Sequence, residues 1–272
     1  MPTASTSRID ARFRGLRERG EKGLVIYLTA GDPSLEATGE LLQAVDRGGA
    51  DVIELGVPFS DPLADGPVIQ RASERSLKVG TTLRKILARL PEWSKSLRAP
   101  IVLFSYFNPV LQYGLENFAH DAAQAGAAGA LMVDVTAEEA EAYVEAMRAE
   151  NLDTIFLASP TSPNDRLMRA AALSSGFLYL ISRTGTTGER SQISAALKPL
   201  VDRARKFTRL PLAVGFGIST PQHVREVTAM ADAAVVGSAL VHAIEEKYTS
   251  GGAAAIEGFV RWLKEGTEGG SA

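Results

Sequence analysis

Short apolar runs alternate with longer amphipathic stretches about eight times along this chain, and no linker breaks the alternation. The runs are Leu24–Leu28, Val52–Leu55, Ile101–Phe104, Ala130–Val133, Thr154–Leu157, Phe177–Ile181, Leu212–Val214 and Ala233–Val236. They are mostly apolar throughout, the pattern of strands buried on both faces. The stretches between them carry helical spacing. Leu35–Arg47 has Leu41, Leu42 and Val45 on one face, with Ser34 placed to cap it. Thr82–Leu97, Ala137–Glu150, Asn164–Ser175, Ile193–Phe207, Pro221–Met230 and Ala254–Lys264 read the same way. Three segments of the chain lead into the next strand through small residues, at Gly49-Ala50-Asp51, Gly126-Ala127-Ala128 and Met230-Ala231-Asp232. Eight β/α units without a break predict an α/β fold, a (βα)₈ TIM barrel, ahead of an open doubly wound sheet. Residues 1–272 are read as a single barrel domain, with 1–22 an N-terminal helical extension and 266–272 a flexible tail.

That fold directs attention to the loops after the strands, where barrels place their chemistry. The second run carries an acid, Glu54, within Val52–Leu55, and its loop holds Asp61 and Asp65 among Gly and Pro. A carboxylate inside a buried strand costs free energy unless it is paired or used. Glu54 therefore faces either a structural partner, for which Arg183 is a candidate, or a substrate. Asp61 lies in Ser60-Asp61-Pro62, a turn signature. Asp65, in Ala64-Asp65-Gly66-Pro67, is placed to reach back over the barrel mouth. Two acids in unlike environments can hold different protonation states at neutral pH.

Glycines cluster after the late strands, in Ser182-Arg183-Thr184-Gly185-Thr186-Thr187-Gly188, Gly215-Phe216-Gly217-Ile218-Ser219 and Gly237-Ser238. Each could simply make a tight turn. Together they offer unobstructed backbone N–H groups where barrels bind phosphate, and Gly237-Ser238 opens a helix whose N-terminus favours an anion. Tyr27, Tyr106 and Tyr179 lie in or just after strands, either packing the core or lining an aromatic pocket. His120, His223 and His242 fall in helical stretches away from the strand ends, so neither a metal cluster nor a His-dependent triad is expected. No lysine stands at a strand end for a Schiff base.

Composition narrows the classes further. The chain has no cysteine, which excludes disulfides, Cys–zinc sites and thiol nucleophiles. A formal net charge of -3 with scattered basic residues gives no footprint for nucleic acid. No apolar run is long enough for a membrane span. The start lacks the apolar core of a secretory signal, and Asp10, Glu18 and Glu21 argue against a transit peptide, so a cytoplasmic location is expected.

Six phrases in this order resemble the tryptophan synthase α-subunit family: YLTAGDP (Tyr27–Pro33), IELGVPFSDPLADGP (Ile53–Pro67), YFNPVLQYG (Tyr106–Gly114), SRTGTTG (Ser182–Gly188), GFGIS (Gly215–Ser219) and VGSALV (Val236–Val241). They span almost the whole chain, and the second is highly specific. The resemblance implies a (βα)₈ barrel that cleaves indole-3-glycerol phosphate to indole and glyceraldehyde 3-phosphate. It implies Glu54 and Asp65 as the catalytic pair, and Tyr27, Tyr106, Tyr179 and Thr187 as substrate-binding residues. Gly185, Gly188, Gly217, Gly237 and Ser238 would hold phosphate. No metal and no cofactor are implied for this chain. Pyridoxal phosphate is expected only in a β-subunit partner, within an α2β2 heterotetramer that receives the indole. The loop Thr184–Ser191 is expected to close over the site as a lid.

Two departures stand out. Thr186 occupies a position where the family usually has Val, and Thr136 one where it usually has Pro, near the β-subunit contact surface. The alternatives to an αβ lyase are a freestanding indole-glycerol phosphate lyase, a non-catalytic barrel acting as an activating subunit, and a different phosphate-binding barrel.

Overall fold

The computed structural model describes residues 7–181, 193–215 and 217–268. The elements run α1 (Arg8–Glu18), β1 (Gly23–Thr29), α2 (Leu35–Arg47), β2 (Val52–Gly56), α3 (Pro67–Lys78), α4 (Leu83–Ser94), β3 (Ile101–Ser105), α5 (Phe107–Tyr113), α6 (Leu115–Gln124), β4 (Gly129–Met132) and α7 (Glu141–Ala149). They continue through β5 (Asp153–Ile155), β6 (Leu157–Ala158), α8 (Asn164–Leu173), β7 (Leu178–Ile181), α9 (Ile193–Ala204), β8 (Leu212–Gly215), α10 (Pro221–Thr228), β9 (Ala233–Val236) and α11 (Ser238–Lys264). All pairings are parallel, in the order β5-β4-β3-β2-β1-β9-β8-β7-β6.

The nine strands make eight staves, because β5 and β6 are one strand interrupted at Phe156. β5 pairs with β4, and β6 with β7. At the break, the Phe156 N–H donates to Ser174 Oγ at 3.2 Å, and the Phe156 carbonyl accepts from Tyr179 N–H at 3.1 Å. The expected run Thr154–Leu157 is thus a broken stave, with its backbone groups still satisfied.

Period-2 alternation sorts the strand residues into two cores. Ile26, Leu28, Ile53, Leu55, Leu103, Leu180 and Val214 face outward onto the helices. Val25, Val52, Val102, Leu131, Ile155, Ala213 and Val235 fill the inside. The amino-terminal helix closes this inner core from below. Ser7 caps α1 by accepting from Asp10 N–H, and Ile9, Phe13 and Leu16 on one face are buried against the inner cluster. Phe13 meets Phe177 with ring centroids 5.9 Å apart. Burying each of these three side chains is worth roughly 1.5–3 kcal/mol.

Three helices escaped the sequence reading: α3, α5 and α6. One correction also concerns the end of the chain. Gly266 and Thr267 are buried, and a Cβ on Gly266 would stand 2.3 Å from the Pro221 carbonyl oxygen. The segment expected to fray from Gly266 is therefore packed through Thr267. The kink in α11 at Gly252, with φ +59°, marks where Ala254–Lys264 was expected to begin as a separate helix. Among the described residues, no helix is long and apolar enough to cross a membrane.

Candidate active site

Alternation places Glu54 inside the barrel. Val52, two residues earlier, belongs to the inner core, so Glu54 points the same way, one layer higher. It stands in register with Tyr27 on β1 and Val102 on β3. Only 1% of its surface is exposed, and its Oε1 has no hydrogen-bond partner among the described residues. Burial alone pushes its carboxyl up from 4.5 to about 8. The structural partner proposed from sequence, Arg183, lies outside the described residues.

The two tyrosines flanking the mouth depend on neighbouring glycines. A Cβ on Gly56 would come within 2.2 Å of the Tyr27 hydroxyl, and one on Gly215 within 2.3 Å of the Tyr179 hydroxyl. Ending β2 and β8 in glycine lets each ring lie across the adjacent stave. Tyr27 packs edge-on against Phe104 at 5.1 Å, with its hydroxyl 3.2 Å from Thr29 Oγ1. Burial raises both phenols above their ordinary range, and the charges of Glu54 and Asp65 raise them further. Both therefore stay protonated at neutral pH, near the two acids.

Asp65 reaches this mouth on a loop pinned from two sides. Gln70 on α3 donates its Nε2 to the Asp65 carbonyl at 2.9 Å and to that of Pro62 at 3.3 Å. The Ala64 N–H donates to the Tyr106 hydroxyl at 2.9 Å. Tyr106 is buried and stacks on Phe59 with centroids 5.0 Å apart. Burial pushes the Asp65 carboxyl up to about 6, and the Tyr106 hydroxyl pulls it the other way. Asp61, by contrast, is exposed and accepts from its neighbour Ser60 Oγ at 2.5 Å, as a turn residue would.

A cleft of about 510 Å³ opens beside these groups, lined by Tyr179, Ile181, Gly215, Gly217, Gly237 and Ser238. Gly217 has φ +51°, a left-handed conformation that favours glycine. Gly237 is the N-cap of α11 and supplies no side-chain cap, so the first N–H groups of that helix have no intrahelical acceptor. An anion there would meet free donors and the positive end of the helix dipole. Gly185, Thr187 and Gly188, with the loop expected to act as a lid, lie outside the described residues.

The sequence reading missed other lining residues, among them Val68, Ile69 and Arg71 on α3. The signal was available: Pro67 at the first helical position after Gly66, then Val68, Ile69 and Ala72 at helical spacing. His242 also needs correcting. It was placed away from the strand ends, yet it sits one turn into α11 and lines the cleft. Among the described residues, no group of three or more His, Asp or Glu could hold a metal.

A family model described as tryptophan synthase alpha chain matches residues 13–265. The chain is 52% identical to the tryptophan synthase alpha chain of Solibacter usitatus over 261 residues, covering 96% of this chain and 98% of that one. It is 48% identical to that of Geotalea uraniireducens, with 96% and 98% covered. Among solved structures, the tryptophan synthase subunit alpha of Legionella pneumophila superposes with a TM-score of 0.90 at 35% identity, covering 97% of this chain and 99% of that one. A Mycobacterium tuberculosis tryptophan synthase structure superposes with 0.89 at 35% identity, covering 98% and 100%. With the motifs, the barrel and the mouth all pointing one way, the chain belongs to the tryptophan synthase alpha chain family.

Proposed function

We propose that this chain cleaves indole-3-glycerol phosphate to indole and glyceraldehyde 3-phosphate, with Glu54 and Asp65 as its working acids. The observation that carries the assignment is Glu54: a fully buried carboxyl, aimed into the barrel mouth, with an unpartnered oxygen and a pKa raised to about 8. At neutral pH such a group holds its proton and can act as an acid. Asp65, with a pKa of about 6, is mostly ionised under the same conditions.

The chemistry needs that division. The Glu54 carboxyl gives its proton to C3 of the indole ring, making an indolenine whose nitrogen is positive. Asp65 accepts a hydrogen bond from the ring N–H and stabilises that charge. The Glu54 carboxylate then takes the proton from the hydroxyl adjacent to the scissile bond. The C–C bond breaks, its electron pair restores the aromatic indole, and the hydroxyl carbon becomes the aldehyde. The ring is its own electron sink, and Glu54 ends the cycle protonated as it began. Gly217, Gly237 and Ser238 hold the phosphate end, which fixes the reacting bond against Glu54. Tyr27, Tyr106 and Tyr179 form the walls around the indole.

Indole passes on to a β subunit, in an α2β2 assembly where pyridoxal phosphate belongs to the partner. Leu63 supports a protein contact at this end of the barrel: it is 92% exposed at the tip of the β2–α3 loop. Thr136 is exposed in the turn after β4 and accepts the Glu139 N–H through its carbonyl at 3.1 Å. The chain is read as one domain and placed in the cytoplasm.

The test is indole release by the purified chain, alone and with a β subunit. Glu54→Gln and Asp65→Asn should each lower it by about 10²–10⁴-fold, the scale of a lost acid/base group. Near-normal turnover by Glu54→Gln would sink the assignment, and high unaided turnover with no response to a β subunit would favour a freestanding lyase.

A further inference from the structure

The cleft carries two basic side chains that the proposed mechanism leaves unused. Arg71 on α3 and His242 on α11 line it together with Gly217, Gly237 and Ser238. Both lie near Glu245, which tethers them loosely. Glu245 Oε2 lies 3.9 Å from Arg71 Nη2 and 3.9 Å from His242 Nδ1. Its other oxygen, Oε1, is engaged by Arg75 Nη1 at 2.8 Å. Arg75 is itself committed, donating to both oxygens of Asp32 at 2.8 Å. Arg71 differs: beyond its loose ion pair with Glu245 it makes no hydrogen bond to another described residue, and its side chain is half exposed at the cleft, with most of its five donors uncommitted. On its other edge, His242 Nε2 stands 3.3 Å from Glu246 Oε1.

The charge distribution gives these groups a task. The chain as a whole is negative, with a formal charge of -3, so attraction of a phosphorylated substrate falls to local groups at the cleft. The donors at the base of the phosphate end are backbone N–H groups, which act at short range. A permanent guanidinium at the rim reaches further, and its bidentate fork suits phosphate. We infer that Arg71 and His242 form a basic rim on the phosphate subsite that captures and orients the dianionic end of the substrate. Arg71 supplies the charge and His242 an N–H donor. The inference rests on the reading of this cleft as the phosphate end of an indole-3-glycerol phosphate site. The plainer account makes both side chains ordinary solvated helix residues, and the two accounts predict different kinetics.

The experiment is steady-state indole release from indole-3-glycerol phosphate by the full chain, at low and moderate salt. Arg71→Gln should raise KM about fivefold with kcat within a factor of two, because it removes binding common to ground and transition states. His242→Gln should raise KM about twofold, and Arg71→Lys should restore most of the parent value, since the charge survives. The parent's KM should climb with salt, and that of Arg71→Gln should climb less steeply. Calorimetry with two probes adds a check: Arg71→Gln should weaken glycerol 3-phosphate and leave indole untouched. An unchanged KM and salt slope in Arg71→Gln would overturn the rim. So would a parallel loss of indole binding, which would make Arg71 structural. A parent chain that releases no indole would instead overturn the functional reading itself.

Discussion

Asp51 and Glu54 lie three residues apart at β2, and each is only 1% exposed. Asp51 is surrounded by donors: Leu24 N–H at 2.7 Å, Arg12 Nη2 at 2.8 Å and Lys264 Nζ at 2.6 Å. Those three come from β1, α1 and α11, so one carboxylate ties the helix beneath the barrel and the last helix to the first staves. Glu54, on the same stretch of chain, faces the other end of the barrel and has an orphaned oxygen. Burial by itself does not distinguish a structural acid from a working one. The distinction lies in what the fold supplies around it: Asp51 is neutralised by the chain, and Glu54 is left for something that arrives from outside.

Neutralising each acid should therefore push stability in opposite directions. Glu54→Gln costs the most activity, about 10²–10⁴-fold, yet it should stabilise the fold. A carboxyl whose folded pKa is raised from 4.5 to about 8 favours the native state at low pH and loses that advantage as pH rises toward 8. Glutamine has no such loss. Its advantage over the parent should be near zero at pH 4, grow through the neutral range and level off above pH 8 at roughly 3–5 kcal/mol. Denaturant unfolding across that pH range checks it, and a variant no more stable than the parent at pH 8 would remove the idea that Glu54 is held against its solvation preference.

Asp51→Asn comes next, with the opposite signature. Breaking a buried pair on one side strands the other partners, here Arg12 and Lys264, and should cost about 3 kcal/mol of stability. Turnover per folded molecule should stay near the parent's. If turnover collapsed while the fold survived, the clean separation between the two acids would fail.

Much of this was legible in the residues, and the failures have physical causes. The eight staves could be read because strands buried on both faces are apolar throughout, and Glu54 was conspicuous as a charge within one of them. The break at Phe156 was invisible, since a serine hydroxyl and a neighbouring strand repair the ladder there without any turn residue. The helix after Asp65 was missed because the Gly-Pro loop runs directly into it. Missing α3 hid Arg71 as well. His242 was misplaced because it sits one turn beyond Ser238, where distance along the chain hides proximity to the mouth. The difference between Asp51 and Glu54 could not be read at all, for it depends on partners contributed by α1 and α11.

The glycines that end the staves give a smaller test. Gly215→Ala would set a methyl 2.3 Å from the Tyr179 hydroxyl, so the ring must move. Displacing it should lower kcat/KM about tenfold, on the scale of a 1–3 kcal/mol overpacking strain placed at the mouth. The same change combined with Tyr179→Phe should recover part of the loss, because it removes the nearest clashing atom while the ring carbons at 2.8 and 2.9 Å remain. No recovery would place the damage elsewhere in the loop.

The smallest expected effect sharpens the division between the two working acids. The kcat/KM profile should be bell-shaped: it falls below about pH 6 as Asp65 gains a proton, and above about pH 8 as Glu54 loses one. Tyr106→Phe removes the hydroxyl that holds the Asp65 carboxyl down and accepts the Ala64 N–H. Burial of Asp65 then acts unopposed, so its pKa rises and the acid limb moves toward neutrality. At pH 7 the rate should fall only a few-fold, on the scale of one modest hydrogen bond, while the alkaline limb stays where Glu54 sets it. A shift confined to the acid limb would show that the two carboxyls titrate in separate surroundings. Movement of both limbs together would mean that they titrate as a coupled pair, and that neither limb belongs to one residue alone.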